Sequence, residues 1–256
     1  MARIKGKIFE LFQDLHLSGR KAIAWLIDPD KVGVDEIKRL GISRSQVDFI
    51  FVGGSQMQVD FFDEVVSAIK AEAGKIPVIL FPGSHAQLSQ SADGILFLSL
   101  LSGRNPRFLI EEQVKSSRQV EAMDLEVLAT AYLLVNDGQL GSVHYASDTL
   151  PILNSNVELA VETALAGKYL GMKLTYLDAG SGSPSPVNPA VISEIKSAVN
   201  GPLIVGGGLD TIEKCKVALD SGADLLVLGN AIEKDPSLLA EVLDQIQIRN
   251  FSLNVN

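Results

Sequence analysis

The chain has 256 residues, of which 46% are hydrophobic and 21% charged, and its formal net charge at pH 7 is −9. This balance is typical of a globular enzyme, and the acidic surplus argues against a nucleic-acid partner, which needs a basic face. No apolar run reaches the roughly 18 residues of a membrane span, and the N terminus lacks the apolar core of a secretory signal. We therefore predict a single domain over residues 1–256, in the cytoplasm and without a transmembrane segment.

Short runs rich in Val, Ile, Leu and Phe recur along the chain. They lack the polar–apolar alternation of a half-exposed antiparallel sheet, so they indicate parallel strands covered by helices. The runs lie at residues 21–28, 47–54, 77–83, 94–103, 126–135, 173–181, 202–208 and 225–230. Helical patterns lie at residues 4–16, 34–42, 58–73, 106–121, 156–170, 188–199, 210–221 and 236–247. This alternation predicts an α/β protein.

Eight strands in a chain of this length fit a (β/α)8 barrel better than an open sheet, and the N-terminal helix can cover one end of it. One connection is irregular, because only "SHAQLSQSAD" (84–93) separates the third and fourth strands. After its turn residues are subtracted, this segment is too short for a barrel helix. We predict a modified TIM barrel whose third helix is missing or replaced by a short connection.

The first two strands end in oxygen-bearing side chains. Asp28 and Asp30 flank a proline, and they indicate either a turn with Asp30 as a helix cap or a carboxylate, Asp28, that binds a hard cation such as Mg²⁺. Ser55 and Gln58 form a capping-box pattern. The Ser55 hydroxyl can also face a cation bound beside the first strand, so the two roles do not compete.

The sixth strand runs into "TYLDAGSGSPSPVNP" (175–189), which is typical of an interdomain linker or of a strand end that binds a ligand. In a closed barrel the segment lies between a strand and the following helix of one sheet, so the linker interpretation fails. Tyr176 and Asp178 are two apart and therefore share a face of the strand. An acid at the very end of the strand is least costly where it meets the active site.

The seventh and eighth strands end in glycine-rich turns. Gly206, Gly207 and Gly208 precede a helix for which Asp210 and Glu213 predict a capping pair, and Gly229–Asn230 precede a short helical "AIEK". Backbone N–H groups in such turns can approach an anion closely, and this pair of loops binds phosphate in many barrels. The alternative is that the glycines only form tight turns.

Further candidates are weaker. Phe81, Leu101 and Tyr132, near the ends of the third to fifth strands, are candidates for an apolar channel, although apolar residues at such positions belong to the core more often than to a channel. The long loop 136–155 is a candidate lid, because active-site lids of barrels form from such loops. No histidine has the spacing of a metal ligand, and no nucleophile–histidine–acid arrangement is visible.

Taken in order, "LIDPDK", "FVGGSQ", "TYLDAGSGSP", "IVGGGL" and "GADLLVLGNAIEKDP" resemble the geranylgeranylglyceryl phosphate synthase family, which includes the PcrB-type enzymes. The resemblance extends from about residue 21 to residue 240. It implies a barrel without its third helix and a Mg²⁺-dependent prenyltransferase of ether-lipid synthesis. The implied substrates are sn-glycerol 1-phosphate, which reacts at its 3-hydroxyl, and a polyprenyl diphosphate. A dimer or hexamer and transient membrane contact for product release are further expectations.

Residue by residue, the resemblance implies a metal site at Asp28 and Ser55, with Asp178 and Tyr176 as catalytic residues. The implied substrate-binding residues are Tyr176, Leu177, Asp178, Ala179, Gly180, Ser181, Gly182, Gly207, Gly208, Gly229 and Asn230. We expect Asp178 to hold a glycerol hydroxyl and to accept its proton, with orientation contributing more than basicity.

Two positions depart from the family pattern. Asp178 stands where the family usually has glutamate, so its carboxylate must reach the glycerol hydroxyls from a side chain that is one methylene shorter. Leu26 stands where the PcrB-type subset has lysine, which favours the longer, archaeal-like group and predicts that the phosphate depends on backbone donors. Two other functions remain open at this stage: a phosphosugar isomerase or cyclase, and a non-catalytic sensor of a phosphate ligand.

Overall fold

The structure, a computed structural model, describes residues 6–55 and 61–253. Eight parallel strands form one closed barrel, in which each strand pairs with its neighbours along the chain and the last strand pairs with the first. Numbered in chain order, the barrel strands are β1 Ala22–Ile27, β2 Phe49–Val52, β3 Val78–Leu80, β4 Gly94–Leu100, β5 Glu126–Asn136, β6 Leu174–Asp178, β7 Leu203–Gly206 and β8 Leu225–Leu228. The predicted TIM barrel is confirmed.

Helices cover the outside of the barrel. They are α1 Lys7–Ser18, α2 Val34–Ile37, α3 Phe62–Ala73, α4 Glu112–Ala122, α5 Ser142–Ser147, α6 Val157–Tyr169, α7 Pro189–Val199, α8 Ile212–Asp220, α9 Asn230–Lys234 and α10 Pro236–Leu253. Short 3-10 turns follow α2, a π-helical turn precedes α4, and a two-residue strand, Ile152–Leu153, pairs with the end of β5. Within the described residues, no helix is both long and apolar enough to cross a membrane.

The N-terminal helix α1 closes one end of the barrel. Phe12 is buried and stacks on Phe49 of β2, with ring centroids 4.7 Å apart. The Glu126 carboxylate at the start of β5 accepts hydrogen bonds from the backbone N–H groups of Ile8 and Phe9, at 2.9 and 2.8 Å. These N–H groups lie in the first turn of the helix and have no partner within it, so Glu126 satisfies them and favours the positive end of the helix dipole.

Side chains on each strand alternate between the barrel interior and the layer under the helices. On β2, Phe49 and Phe51 pack inside while Ile50 and Val52 pack outside. The same alternation on β6 places Leu174 and Tyr176 inside the barrel and Leu177 outside. Asp178, two residues after Tyr176, therefore faces the interior at the carboxyl end of β6.

Two sequence-based caps are corrected by the structure. The side chain of Thr211, not of Asp210, caps α8 by accepting a hydrogen bond from the Lys214 N–H, because Thr211 has the extended backbone of a cap and the helix begins after it. The Asp210 carboxylate instead accepts from the Lys214 ammonium at 2.6 Å. Gly33, not Asp30, is the residue before α2. The predicted partner of Ser55, Gln58, lies outside the described residues.

No helix connects β3 to β4 across the described residues 81–93, as the length of this segment predicts. Its place is taken by hydrogen bonds from buried side chains. The Gln87 amide donates to the Gly54 carbonyl at 2.8 Å and accepts from the Gly83 N–H at 3.2 Å, which joins the ends of β2 and β3. These two hydrogen bonds of Gln87 hold the shortened connection against the end of β2.

Glu112 of α4 holds the same connection from the other side. Its carboxylate accepts from Arg107 Nε at 2.8 Å and from the His85 backbone N–H at 2.8 Å, and it contacts His85 Nδ1 at 2.7 Å. Burial by itself would raise the pKa of Glu112, but the hydrogen bonds from Arg107 and His85 outweigh it and lower the pKa to about 2. The charged form of Glu112 therefore stabilises the fold at neutral pH.

We expect Glu112→Gln to lower the free energy of unfolding at pH 7 by about 2 kcal/mol, since hydrogen bonds to a charged group are lost. A folded-state pKa below the unfolded value means that this contribution is complete above the ordinary glutamate pKa and is lost as the pH falls towards 2. Urea denaturation from pH 7 to acid measures the difference between wild type and variant.

Glu121→Gln is the matched control, because Glu121 pairs with Arg118 on the exposed face of the same helix. Such a surface pair contributes little, and we expect a loss of less than about 0.5 kcal/mol. Equal losses in the two variants would contradict the role assigned to Glu112.

Candidate active site

A cavity of about 1020 Å³ opens at the carboxyl ends of the barrel strands. One side of it is polar and is formed by the ends of β1, β2, β6, β7 and β8. The opposite side extends under the shortened β3–β4 connection and is mainly apolar, and we call it the apolar arm. Its apolar lining is Leu88, Leu96, Phe97, Leu98, Leu100 and Phe108, and polar side chains of the connection and of α4, such as Ser84 and Gln113, also line it. The cavity is therefore amphipathic, and it can enclose a molecule that has both a charged and a hydrocarbon part.

The buried carboxylate of Asp178 lies at the polar side. The Tyr132 hydroxyl of β5 donates to Oδ2 at 2.5 Å, and the Gly180 N–H donates to Oδ1 at 2.7 Å. Burial raises the pKa of Asp178, although both hydrogen bonds act to lower it. The result is an oriented carboxylate that binds a proton more readily than an exposed aspartate.

Three aromatic rings form the wall beside Asp178. Tyr176 stacks on Phe81, with ring centroids 5.2 Å apart, and Tyr132 meets both rings edge to face, at 5.4 and 5.9 Å. Burial, and then the charge of Asp178, raise the pKa values of Tyr132 and Tyr176 well above their ordinary range. Both phenols therefore remain protonated hydrogen-bond donors at physiological pH.

Glycine is required where β7 ends beside Asp178. Gly207 has a φ of 75°, and a Cβ atom there would stand 2.5 Å from Asp178 Oδ1 and 2.7 Å from the Gly180 N–H. At Gly206 a Cβ atom would stand 2.6 Å from the Tyr176 hydroxyl. The loops after β6 and β7 can come this close only because these positions carry no side chain.

The loops after β1, β6 and β8 are joined by side chains. The Asn230 amide donates to Ser181 Oγ at 2.8 Å and accepts a hydrogen bond from the Lys31 ammonium. Lys31 Nζ also lies 3.6 Å from Asp28 Oδ2 and 3.8 Å from Glu233 Oε2. A lysine is thus held by acids and an amide between the β1 and β8 loops.

Asp28 and Ser55 both line the cavity, at the ends of β1 and β2. The Asp28 side chain is 28% exposed, and Ser55 Oγ lies 3.1 Å from Ser142 Oγ of α5, in the loop predicted to form a lid. One carboxylate and one hydroxyl are oxygen donors of the kind that Mg²⁺ prefers when substrate phosphates and water complete its shell. Within the described residues, no three His, Cys, Asp or Glu side chains cluster as an all-protein metal site.

The model of the PcrB family matches residues 18–248 of the chain. The chain belongs to the PcrB family. It is 44% identical over 242 residues to the geranylgeranylglyceryl phosphate synthase of Chitinophaga pinensis, an alignment that covers 94% of this chain and 96% of the relative. It is also 44% identical over 216 residues to the enzyme of the same name from Thermococcus kodakarensis, covering 83% of this chain and 84% of the relative.

Solved structures show the same PcrB-family likeness. The (S)-3-O-geranylgeranylglyceryl phosphate synthase of Thermoplasma acidophilum, solved in complex with sn-glycerol-1-phosphate, superimposes with a TM-score of 0.85 at 34% identity. The match covers 93% of this chain and 98% of that one. The family identified from the strand-end motifs is therefore confirmed.

Most of the residues that the motifs select lie together on the cavity wall. These are Asp28, Ser55, Tyr176, Asp178, Ser181, Gly182, Gly207, Gly208, Gly229 and Asn230. Ala179 and Gly180 line a smaller adjoining cavity. Leu177 is buried in the outer layer and lines neither cavity.

Sequence reasoning missed two partners of the site. Tyr132 was a candidate for the apolar channel only, yet its hydroxyl donates to Asp178, because the β5–β6 register places Tyr132 opposite Tyr176. Lys31 was not singled out, although it follows Asp28 by three residues. Of the channel candidates, Phe81 lines the cavity, whereas Leu101 packs in the outer layer and is not part of the cavity wall.

We expect Gly207→Ala to lower the free energy of unfolding by about 3 kcal/mol, because a positive φ is combined with a clash against Asp178. Gly182→Ala is the matched control: Gly182 has a φ of 70°, but a Cβ atom there would meet no other atom within 4 Å. We expect about 1 kcal/mol there, from the backbone conformation alone. Urea denaturation of both variants measures the difference in the free energy of unfolding. Equal losses would show that the contact with Asp178 does not add to the cost of the substitution.

We expect Tyr132→Phe to raise the pKa of Asp178 further, because the hydrogen bond that it removes stabilises the charged carboxylate. A ¹³C NMR titration of the aspartate carboxyl groups measures this directly in the wild type and the variant. Tyr169→Phe, at a largely exposed tyrosine on α6, serves as the control and should leave the titration unchanged. An Asp178 titration that does not move in Tyr132→Phe would contradict the role of the hydroxyl.

Proposed function

We propose that the protein is a prenyltransferase that joins a polyprenyl diphosphate, with geranylgeranyl diphosphate as the first candidate, to the 3-hydroxyl of sn-glycerol 1-phosphate. The amphipathic cavity is the observation that carries this proposal. Its polar side offers backbone donors and a buried carboxylate to a phosphorylated polyol, and its apolar arm offers space to a hydrocarbon tail. The names of the relatives, and the ligand named for the Thermoplasma acidophilum structure, support the same chemistry.

The acceptor fits the polar side. The glycine loops after β7 and β8 present backbone N–H groups to the phosphate, together with Ser181 and Asn230. Asp178 then receives a glycerol hydroxyl as a hydrogen-bond donor, while Tyr132 and Gly180 hold the carboxylate in place. Tyr176 lines the wall beside it, so its part is to position the substrate.

The donor fits the other side of the cavity. The prenyl tail lies in the apolar arm, and the diphosphate lies towards Asp28 and Ser55. These two oxygen donors would hold Mg²⁺, which when bound supplies positive charge to the leaving diphosphate. Orientation of C1 against the glycerol oxygen is the main contribution of the protein, since a bound near-attack geometry replaces a bimolecular encounter.

In the reaction the C1–O bond of the prenyl diphosphate breaks and its electron pair leaves with the diphosphate. The glycerol oxygen forms the new bond to C1, and its proton passes to Asp178 and from there to solvent. An aspartate of ordinary pKa is a weak base, so orientation would outweigh basicity at such a residue. Because burial raises the pKa of Asp178, its basicity contributes more than an exposed aspartate would.

The apolar arm favours this function over the two alternatives. Neither the substrate of a phosphosugar isomerase nor the small ligand of a phosphate sensor has a hydrocarbon part that would fill the arm. The choice of prenyl chain length, the dimeric or hexameric state, the cytoplasmic location and the transient membrane contact for product release stay predictions. Each of them needs its own measurement.

The test is incubation of the purified protein with Mg²⁺, sn-glycerol 1-phosphate and a panel of polyprenyl diphosphates, followed by extraction of lipid phosphate. We expect an ether-linked prenylglyceryl phosphate with sn-glycerol 1-phosphate and little or none with sn-glycerol 3-phosphate. Asp178→Asn should lower kcat by about 100-fold or more, the usual contribution of a general base.

The absence of a lipid product with every donor, while glycerol 1-phosphate still binds, would refute the proposal and favour the sensor. Full turnover of Asp178→Asn at saturating substrates would refute only the role assigned to Asp178.

A further inference from the structure

Lys31 lies where the two halves of the polar side meet. It follows the end of β1, and its ammonium donates to Asn230 Oδ1 at the start of α9. Two carboxylates flank it, Asp28 at 3.6 Å and Glu233 at 3.8 Å. The side chain is 41% exposed and lines the cavity, so a ligand can reach the ammonium directly.

The contact with Asn230 continues across the site. The Asn230 amide nitrogen donates to Ser181 Oγ, so one chain of hydrogen bonds runs from the β1 loop through the β8 loop to the β6 loop. Ser181 and Asn230 are both among the residues proposed to bind the glycerol phosphate. The Lys31 ammonium therefore hydrogen-bonds directly to Asn230, one of the residues proposed to bind the phosphate.

A phosphate dianion needs positive charge in this cavity. The glycine loops supply only neutral N–H groups, and Asp28, Asp178 and Asp210 line the same wall. Among the described residues, the lysines on this wall are Lys31 and Lys234, and Lys31 is the one that contacts a phosphate-loop side chain. Because residue 26 on β1 is a leucine and not a lysine, the positive charge at this end of β1 comes from Lys31 in the following loop.

We propose that Lys31 binds the phosphate of glycerol 1-phosphate directly, and that on binding its ammonium exchanges the amide oxygen of Asn230 for a phosphate oxygen. This inference rests on the proposed function. A charge-assisted hydrogen bond to phosphate is stronger than the one to a neutral amide that it replaces. The exchange also frees Asn230 Oδ1 to accept a hydrogen bond from a glycerol hydroxyl, while the amide nitrogen still donates to Ser181.

The experiment is isothermal titration calorimetry of sn-glycerol 1-phosphate into the wild type, Lys31→Met, Lys31→Arg and Lys38→Met. It is carried out in EDTA, so that no divalent cation at Asp28 contributes. Lys38→Met is the matched control, because Lys38 is an exposed lysine of the neighbouring 3-10 turn and does not line the cavity. A parallel titration with inorganic pyrophosphate and Mg²⁺ tests the other anion.

We expect Lys31→Met to raise the Kd for glycerol 1-phosphate about 10- to 100-fold, which corresponds to one lost hydrogen bond between charged groups. Lys31→Arg should recover part of the affinity, and Lys38→Met should match the wild type. The Kd of the wild type should rise with salt more steeply than that of Lys31→Met, because one ionic contact is missing from the variant. A merely structural role would not change this salt dependence, and equal thermal midpoints would confirm that both methionine variants fold.

An unchanged Kd for glycerol 1-phosphate in Lys31→Met would overturn the inference. If that variant lost affinity only for pyrophosphate, the lysine would belong to the leaving group and the inference would likewise be wrong. Failure of the proposed function itself is distinguishable, because the wild type would then bind glycerol 1-phosphate in the calorimeter but form no lipid product in the transferase assay.

Discussion

The site depends on one constraint: a carboxylate is held inside the mouth of a parallel barrel. An aspartate buried at this depth is costly unless its oxygens are hydrogen-bonded, and Asp178 meets this requirement with one donor from the neighbouring strand and one from its own loop. The Tyr132 hydroxyl in turn requires its ring to reach the strand end, where Tyr176 and Phe81 pack against it. The absence of a side chain at Gly207 completes the arrangement, because any Cβ atom would displace the carboxylate.

The missing third helix has a functional counterpart in the apolar arm. Where a barrel helix would normally cover β3 and β4, the chain instead passes as a short connection held by the Gln87 amide and the Glu112 carboxylate. The arm of the cavity extends beneath this connection, with Leu88, Leu98 and Phe108 on its wall. Burying polar groups in a connection costs free energy, and here hydrogen bonds from fixed side chains offset it. The same rearrangement thus provides both a closed barrel and room for a hydrocarbon tail.

Charge is distributed unevenly around the cavity in a chain whose overall charge is −9. Acids alone would repel the two phosphorylated substrates proposed above, so in that proposal the neutral donors of the glycine loops, the divalent cation and Lys31 each offset part of the repulsion. In the absence of ligand, Lys31 is held by Asp28, Asn230 and Glu233, which prevents the acids from facing one another without a counter-charge. The proposed exchange of partners would take place within a network that already exists, so that less ordering of side chains is required.

Much of this protein could be predicted from the sequence, because the relevant signals are local. The apolar runs, the shortness of 84–93 and the glycines after the seventh and eighth strands each depend on neighbours along the chain, and together they predict the barrel, its missing helix and the glycine loops on the polar side of the cavity. Asp178 was selected for the same reason, since the period of a strand and the position of its end determine which way a side chain points.

The prediction of the α8 cap was wrong because Asp210 and Thr211 are adjacent and both are suitable cap residues by type. Only the backbone conformation decides between them. Tyr132 and Lys31 could not be recognised as partners, since the hydrogen bonds that define their roles join residues 46 and 199 positions apart. The sequence by itself thus determined the strands and the loops that carry the chemistry, whereas the pairing of Tyr132 with Asp178 and of Lys31 with Asn230 was decided only by the closure of the barrel, which brings the ends of distant strands to a single rim.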